Sequence, residues 1–196
     1  MTITTAKRFT VAEYHRLAEL RFLADNNRFE LIKGEIVKMA AKGTPHSVCE
    51  TRLERELFKL VGERATLRGQ QPIIIPDDSE PEPDLVIARN RDDNYLSSHP
   101  SPVDVLLLIE ISDSTLSYDQ GVKLPLYAEA GISDYWIFNL VANYLECYSQ
   151  PYQDERGNFG DRQRVIFLPN ESVNLPGFPE LLVDLSKVFP IVKDRG

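Results

Sequence analysis

VDVLLLIEISDSTLSYDQGVKLPLYAEAGISDYWIFNL, residues 103–140, decides the fold. It opens with the continuous apolar run VLLLI, bounded by Pro102 before and the polar SDST segment after. Such a run reads as a strand buried on both sheet faces. Side chains alternate along a strand, so Leu106, Leu108, Glu110 and Ser112 are expected on one face. Glu110 then projects from the end of a buried strand, where an ionised carboxylate needs a cation or donors. A helix is expected from Ser117 to Ala130, stopped by Gly131. Pro125 lies inside it, with Gly121 four residues back, so a local bend is expected. Asp119, Lys123 and Tyr127, spaced i, i+4, i+8, share one face of that helix. DYWIFNL reads as a second core strand, which makes the unit strand–helix–strand in an α/β fold.

Outward from this unit, the 196 residues suit one domain, 1–196, with a sizeable core. Two cysteines, Cys49 and Cys147, lie far apart without metal-ligand spacing, so a disulfide framework is not expected and a reducing cytoplasm is. No apolar core of a signal peptide stands at the N-terminus, and no apolar run approaches the ~20 residues of a membrane span. The formal net charge of −8 argues against coating nucleic acid with a basic surface. The charge is uneven: residues 1–70 carry 13 Lys+Arg against 9 Asp+Glu, and residues 71–196 carry 9 against 21. A metal-holding second half and a phosphate-meeting first half would account for this, as would two ordinary solvated faces.

In chain order, Thr10 and Glu13 form a capping box that opens a short helix. FELIKGEIVKM reads as a hairpin turning at Lys33-Gly34. His46–Val61 is an amphipathic helix with Val48, Leu53, Leu57, Leu60 and Val61 as its stripe. ATLRGQQPIIIP reads as a strand ending at Pro76, DDSEPEP as a loop, and PDLVIA as a short strand with Asp84, Val86 and Ala88 on one face. After residue 140 an antiparallel meander is expected with a turn near residues 156–158, and GFPELLVDLSKVF as an apolar segment and short helix covering the sheet.

Asp84 at the start of one apolar strand and Glu110 at the end of another make a hard oxygen pair suited to Mg²⁺ or Mn²⁺. Strand-end carboxylates also serve turns and caps, which is the plainer alternative. P-loop, dinucleotide-binding and serine-hydrolase motifs are absent. His46 and Cys49, three apart on a helix, have no second pair to complete a zinc site.

Pro83-Asp84, Glu110-Ile111-Ser112 and Lys123, together with FELIKGEIVKM and its following His46, PEPDLVIA, EISDST and KLPLYAEAGISDYWIFNL, resemble the Uma family of endonucleases within the PD-(D/E)xK restriction-endonuclease-like superfamily. The resemblance implies a mixed central sheet flanked by helices on both faces, with added antiparallel strands. It implies metal-dependent cleavage of DNA phosphodiesters using Mg²⁺ or Mn²⁺, with Asp84, Glu110 and Ile111 as metal ligands and a catalytic set of Asp84, Glu110, Lys123 and Glu30. Where the signature has lysine this chain has Ser112, and the lysine of related branches on the following helix nominates Lys123. Glu30 is matched by a family glutamate, its alternative being a hairpin salt bridge. His46 is open between a phosphate or proton-transfer role and a capping or packing one, and Lys123 between the site and an i, i+4 pair with Asp119. A homodimer is expected, since duplex cleavage takes two cuts. The rivals are a catalytically silent nucleic-acid-binding module and a protein-interaction module on the same fold.

Overall fold

A computed structural model describes residues 6–23 and 28–190, so the 1–196 domain reading has both ends outside the described residues. Helix α1 (Val11–Glu19) is followed by the hairpin β1 (Phe29–Ile32) and β2 (Glu35–Lys38), then helix α2 (Thr44–Val61). Strands β3 (Thr66–Gly69), β4 (Leu85–Ala88) and β5 (Val105–Ser112) come next. A helical crossover of α3 (Leu116–Tyr118), a π turn (Asp119–Lys123) and α4 (Leu124–Glu129) leads to β6 (Asp134–Asn139). Strands β7 (Tyr144–Gln153) and β8 (Phe159–Phe167) and a hairpin of β9 (Ser172–Leu175) and β10 (Phe178–Asp184) complete the chain.

The central sheet is mixed, six strands in the order β3-β4-β5-β6-β7-β8, with β5 and β6 parallel and every other neighbouring pair antiparallel. The parallel pair needs the helical crossover, because no tight turn can join parallel neighbours. On one face α2 lays Cys49, Leu53, Leu57 and Val61 against Leu107, Ile109 and Ile111, and Val183 and Leu185 close the layer. On the other face Leu126 and Tyr127 of α4 pack on Leu108, Tyr135 and Ile137. The sheet is thus covered on both sides, as the apolar runs of β4, β5 and β6 require.

The structure departs from the sequence pattern at several points. The β4–β5 register runs Leu85↔Ile109, Val86↔Leu108 and Ile87↔Leu107, then slips to Ala88↔Val105. This bulge turns Leu106 into the α2 layer and Val105 into the α4 layer, so Leu106 does not share the face of Leu108 and Glu110. Cys49, not Val48, belongs to the buried stripe of α2, and Val48 is exposed. The strand expected to reach Pro76 stops at Gly69, where Gln70 takes a left-handed φ of 50°. Beyond it, Ile73 and Ile74 donate their N–H groups to the carbonyls of Pro81 and Pro100 rather than to a ladder. The apolar segment expected over GFPELLVDLSKVF is strand β10, paired with β9 in a hairpin, and the short helix after it is a 3₁₀ turn (Leu185–Lys187). The helix expected over 117–130 is three pieces. Pro125 lacks the N–H that would bond to Gly121, and the Leu124 N–H reaches five residues back to the Asp119 carbonyl.

Candidate active site

Continuing the β4–β5 register by one step sets Asp84, just before β4, opposite Glu110 near the end of β5. Both carboxylates line one cavity of about 210 Å³ together with Glu30, His46, Asp119, Lys42 and Lys123. Strand ends bring the two acids together, the β1 hairpin brings Glu30, α2 brings His46, and the π turn brings Asp119 and Lys123.

Asp84 is held from three directions. Its Oδ2 accepts the Ile111 N–H at 2.8 Å and His46 Nε2 at 3.0 Å. Its Oδ1 accepts Lys42 Nζ at 2.8 Å. An ionised carboxylate only accepts, so His46 carries its proton on Nε2. Burial pushes the Asp84 carboxyl up, but the hydrogen bond and charge of His46 and the charge of Lys42 outweigh it and bring it down to about 2.

Glu110 has a different environment. Its Oε1 accepts Lys123 Nζ at 2.8 Å and the Tyr127 hydroxyl at 3.1 Å, and Lys123 Nζ also lies 3.3 Å from Glu30 Oε2. The Glu82 N–H donates to that same Glu30 oxygen at 3.2 Å. Burial first, then repulsion from Asp119 and Asp84, pushes the Glu110 carboxyl well up, and Lys123 offsets this only in part. Burial lowers Lys123, but Glu110, Glu30 and Asp119 together hold its ammonium above the ordinary lysine range. Lys123 therefore keeps its ammonium, and Glu110 takes up its proton at a higher pH than a free glutamate does. Asp119 accepts the hydroxyls of Ser112 at 2.6 Å and Thr115 at 2.7 Å. Ser112, at the strand position where the signature has lysine, thus braces the crossover that carries Lys123.

The four expected catalytic residues Asp84, Glu110, Lys123 and Glu30 all line this one cavity. Lys123 pairs with Glu110 and Glu30, not with Asp119 as the helix-pair reading has it. Ile111 sends its side chain into the α2 layer and its N–H to Asp84, so only its carbonyl is left for a cation. His46 holds Asp84 instead of capping α2, whose N-cap is Gly43. Sequence reasoning passed over Lys42 and Glu50. Glu50 stands four residues after His46 on α2, and that spacing is the signal that would have found it; Lys42 lies before the helix, where no spacing rule places it. His46, Glu50 and Asp84 offer ligand atoms within 4.8 Å of one another, and the buried His46 Nδ1 has no hydrogen-bond partner, with Glu50 Oε2 3.7 Å away.

A family model described as "Putative restriction endonuclease", Uma2, matches residues 11–186, nearly the whole chain. The chain belongs to the Uma2 family. Its family and fold indicate a restriction-endonuclease-like nuclease. Among solved structures, this Uma2 chain is similar to the crystal structure of "a putative nuclease belonging to DUF820" from Anabaena variabilis. That similarity has a TM-score of 0.63 at 16% identity, covering 86% of this chain and 94% of the other. No curated protein matches this Uma2 chain.

Proposed function

We propose that this protein is a Mg²⁺- or Mn²⁺-dependent endonuclease that hydrolyses DNA phosphodiester bonds at the Asp84–Glu110 cavity. The observation that carries this reading is a buried ammonium, Lys123, fixed between Glu110 and Glu30 beside a second strand-end carboxylate, Asp84. The donor set fits a hard divalent cation: oxygen ligands on neighbouring strand ends, with an imidazole alongside. Asp84 Oδ1 and Glu110 would hold the ion, with the Ile111 carbonyl as a further candidate ligand. When bound, the ion supplies Lewis-acid stabilisation and an acidified water.

The protein's own groups do the rest. The Ile111 N–H and His46 fix the orientation of Asp84, leaving Oδ1 free of rigid donors. Tyr127 and Lys123 orient Glu110. Lys123, clasped by Glu110 and Glu30, stabilises negative charge growing on the phosphate oxygens. Water oxygen bonds to phosphorus as the opposite P–O bond breaks, and the departing oxygen leaves with the electron pair and takes up a proton.

Supercoiled plasmid incubated with the protein in EDTA, Mg²⁺ or Mn²⁺ tests the reading. Nicking with metal and none with EDTA is the expected result, lost in Asp84→Asn and Glu110→Gln. Intact plasmid under both metals at low ionic strength would overturn it. The proposal extends to a homodimer that makes the two cuts of a duplex, checked by light scattering with and without DNA, and to a cytoplasmic location, checked by cell fractionation.

A further inference from the structure

We propose that Lys42 holds the cation position on Asp84 in the metal-free protein, and that an entering divalent ion drives it off Oδ1 to meet a substrate phosphate. The inference rests on the metal-dependent reading above and adds a residue and an order of events to it.

The two oxygens of Asp84 are not equivalent. Oδ2 accepts two donors from rigid elements, the β5 backbone at Ile111 and the α2 imidazole of His46. Oδ1 accepts Lys42 alone. Oδ2 already accepts two donors, so a cation that uses Asp84 binds Oδ1 beside the Lys42 ammonium, and two cations on one oxygen repel strongly at such short range. Lys42 is also the group built to leave. It lies in the segment between β2 and α2, outside any helix or strand, and its only other carboxylate among the described residues is Glu50 at a long 3.5 Å. Its side chain is 19% exposed, against 5% for Lys123, which two carboxylates clasp inside the protein. One ammonium is fixed and the other displaceable. A lysine is a compact charge on a flexible stem, so Lys42 can swing to the cavity mouth, where a phosphate of the nucleic-acid backbone would take it.

Titration of the full chain with MnCl₂ in a calorimeter tests the displacement directly, without cleavage as the readout. Lys42→Met, which keeps the stem and removes the charge, is expected to bind Mn²⁺ about tenfold tighter than the parent, because the competing charge is gone. Lys42→Arg, which keeps the charge, should stay close to the parent, a split that a merely structural role would not produce. In the Asp84→Asn background, Lys42→Met should weaken binding of a fluorescent DNA duplex and reduce its salt slope by about one. If Lys42→Met binds Mn²⁺ no tighter than the parent while Asp84→Asn loses binding, the displacement is wrong and the metal-dependent reading stands. Binding by Lys42→Met where the parent shows none supports both. Mn²⁺ binding by none of these proteins overturns both. Should Lys42→Met fail to fold, Lys42→Gln serves as the neutral variant with the same expected outcomes.

Discussion

Lys123 is a buried ammonium among three carboxylates, and its removal would leave Glu110 and Glu30 without their cation. Taking one partner from a buried ion pair costs about 3–5 kcal/mol, so Lys123→Ala should be markedly less stable at neutral pH as well as unable to cleave. Its Mn²⁺ affinity should not fall, since the ligands remain. The pH dependence has a definite sign. A lysine raised in the folded state contributes its stability fully below the ordinary value of 10.5, and loses it only as pH climbs through the raised one. Glu110 is raised too, so the cost of its buried charge is absent below its ordinary value of 4.5 and grows as pH rises. The deficit of Lys123→Ala should therefore be largest at neutral and mildly alkaline pH, below the ordinary lysine value, and shrink on acidification. Urea unfolding of parent and variant at pH 5 and pH 8 checks this, and an equal or larger gap at pH 5 would contradict it. Ser112→Lys in that background returns an ammonium to the site from the strand, where the serine hydroxyl now bonds Asp119 at 2.6 Å, and should recover part of both stability and cleavage.

Among the elements, the π turn is held from the sheet side by Glu146 of β7. This fully buried carboxylate accepts Gln120 of the π turn, Asn139 of β6, Arg164 of β8 and the Tyr148 hydroxyl. Burial raises its carboxyl, but those hydrogen bonds outweigh burial and bring it below the ordinary glutamate value. Such a group stabilises the fold above the ordinary value of 4.5 and stops doing so as pH falls through its lowered one. Glu146→Gln should cost about 2 kcal/mol at neutral pH, and the gap should close in acid; a pH-independent gap in urea unfolding would count against the charge being responsible. The β1–β2 hairpin that delivers Glu30 turns on Lys33 and Gly34, with φ of 47° and 76°. A Cβ on Gly34 would meet Arg8 Cβ at 2.7 Å and backbone at 3.1 Å. Gly34→Ala should cost roughly 1–2 kcal/mol from the left-handed backbone alone, seen as a lower Tm with the cleavage defect following the hairpin.

At the scale of the whole molecule, a net charge of −8 and a cavity rich in carboxylates make cation binding the natural lever on stability. An ion that binds only the folded chain at about a hundred times its Kd adds about 2.7 kcal/mol. For a chain of this length that is a rise in Tm of about 5–10 °C. The expected pattern is a rise with Mn²⁺ in the parent and none in Asp84→Asn or Glu110→Gln, measured by calorimetry. An equal rise in all three would place the ion elsewhere. Among the described residues no helix is long and apolar enough to cross a membrane.

Much of this was legible in the residues alone. The apolar run VLLLI at 105–109 read as an inner strand, and Pro125 marked the bend in the crossover helix, because both signals are local: a short apolar run with polar flanks and a missing N–H. The membership of Asp84, Glu110, Lys123 and Glu30 in a candidate site came from spacing and family pattern, while their shared cavity came from packing. What no local rule could supply was long-range. The bulge that reverses Leu106 depends on how β4 meets β5, and the short β3 depends on distant carbonyls at Pro81 and Pro100 taking the N–H groups of Ile73 and Ile74. Likewise Lys42 and Asp84 stand 42 residues apart in sequence, and Lys123 and Glu30 meet across 93. Sequence by itself determined which segments are buried and which carry charge. Only the tertiary structure decided which ammonium faces which carboxylate, because burial sets the cost of a charge locally whereas its partner is chosen by the fold.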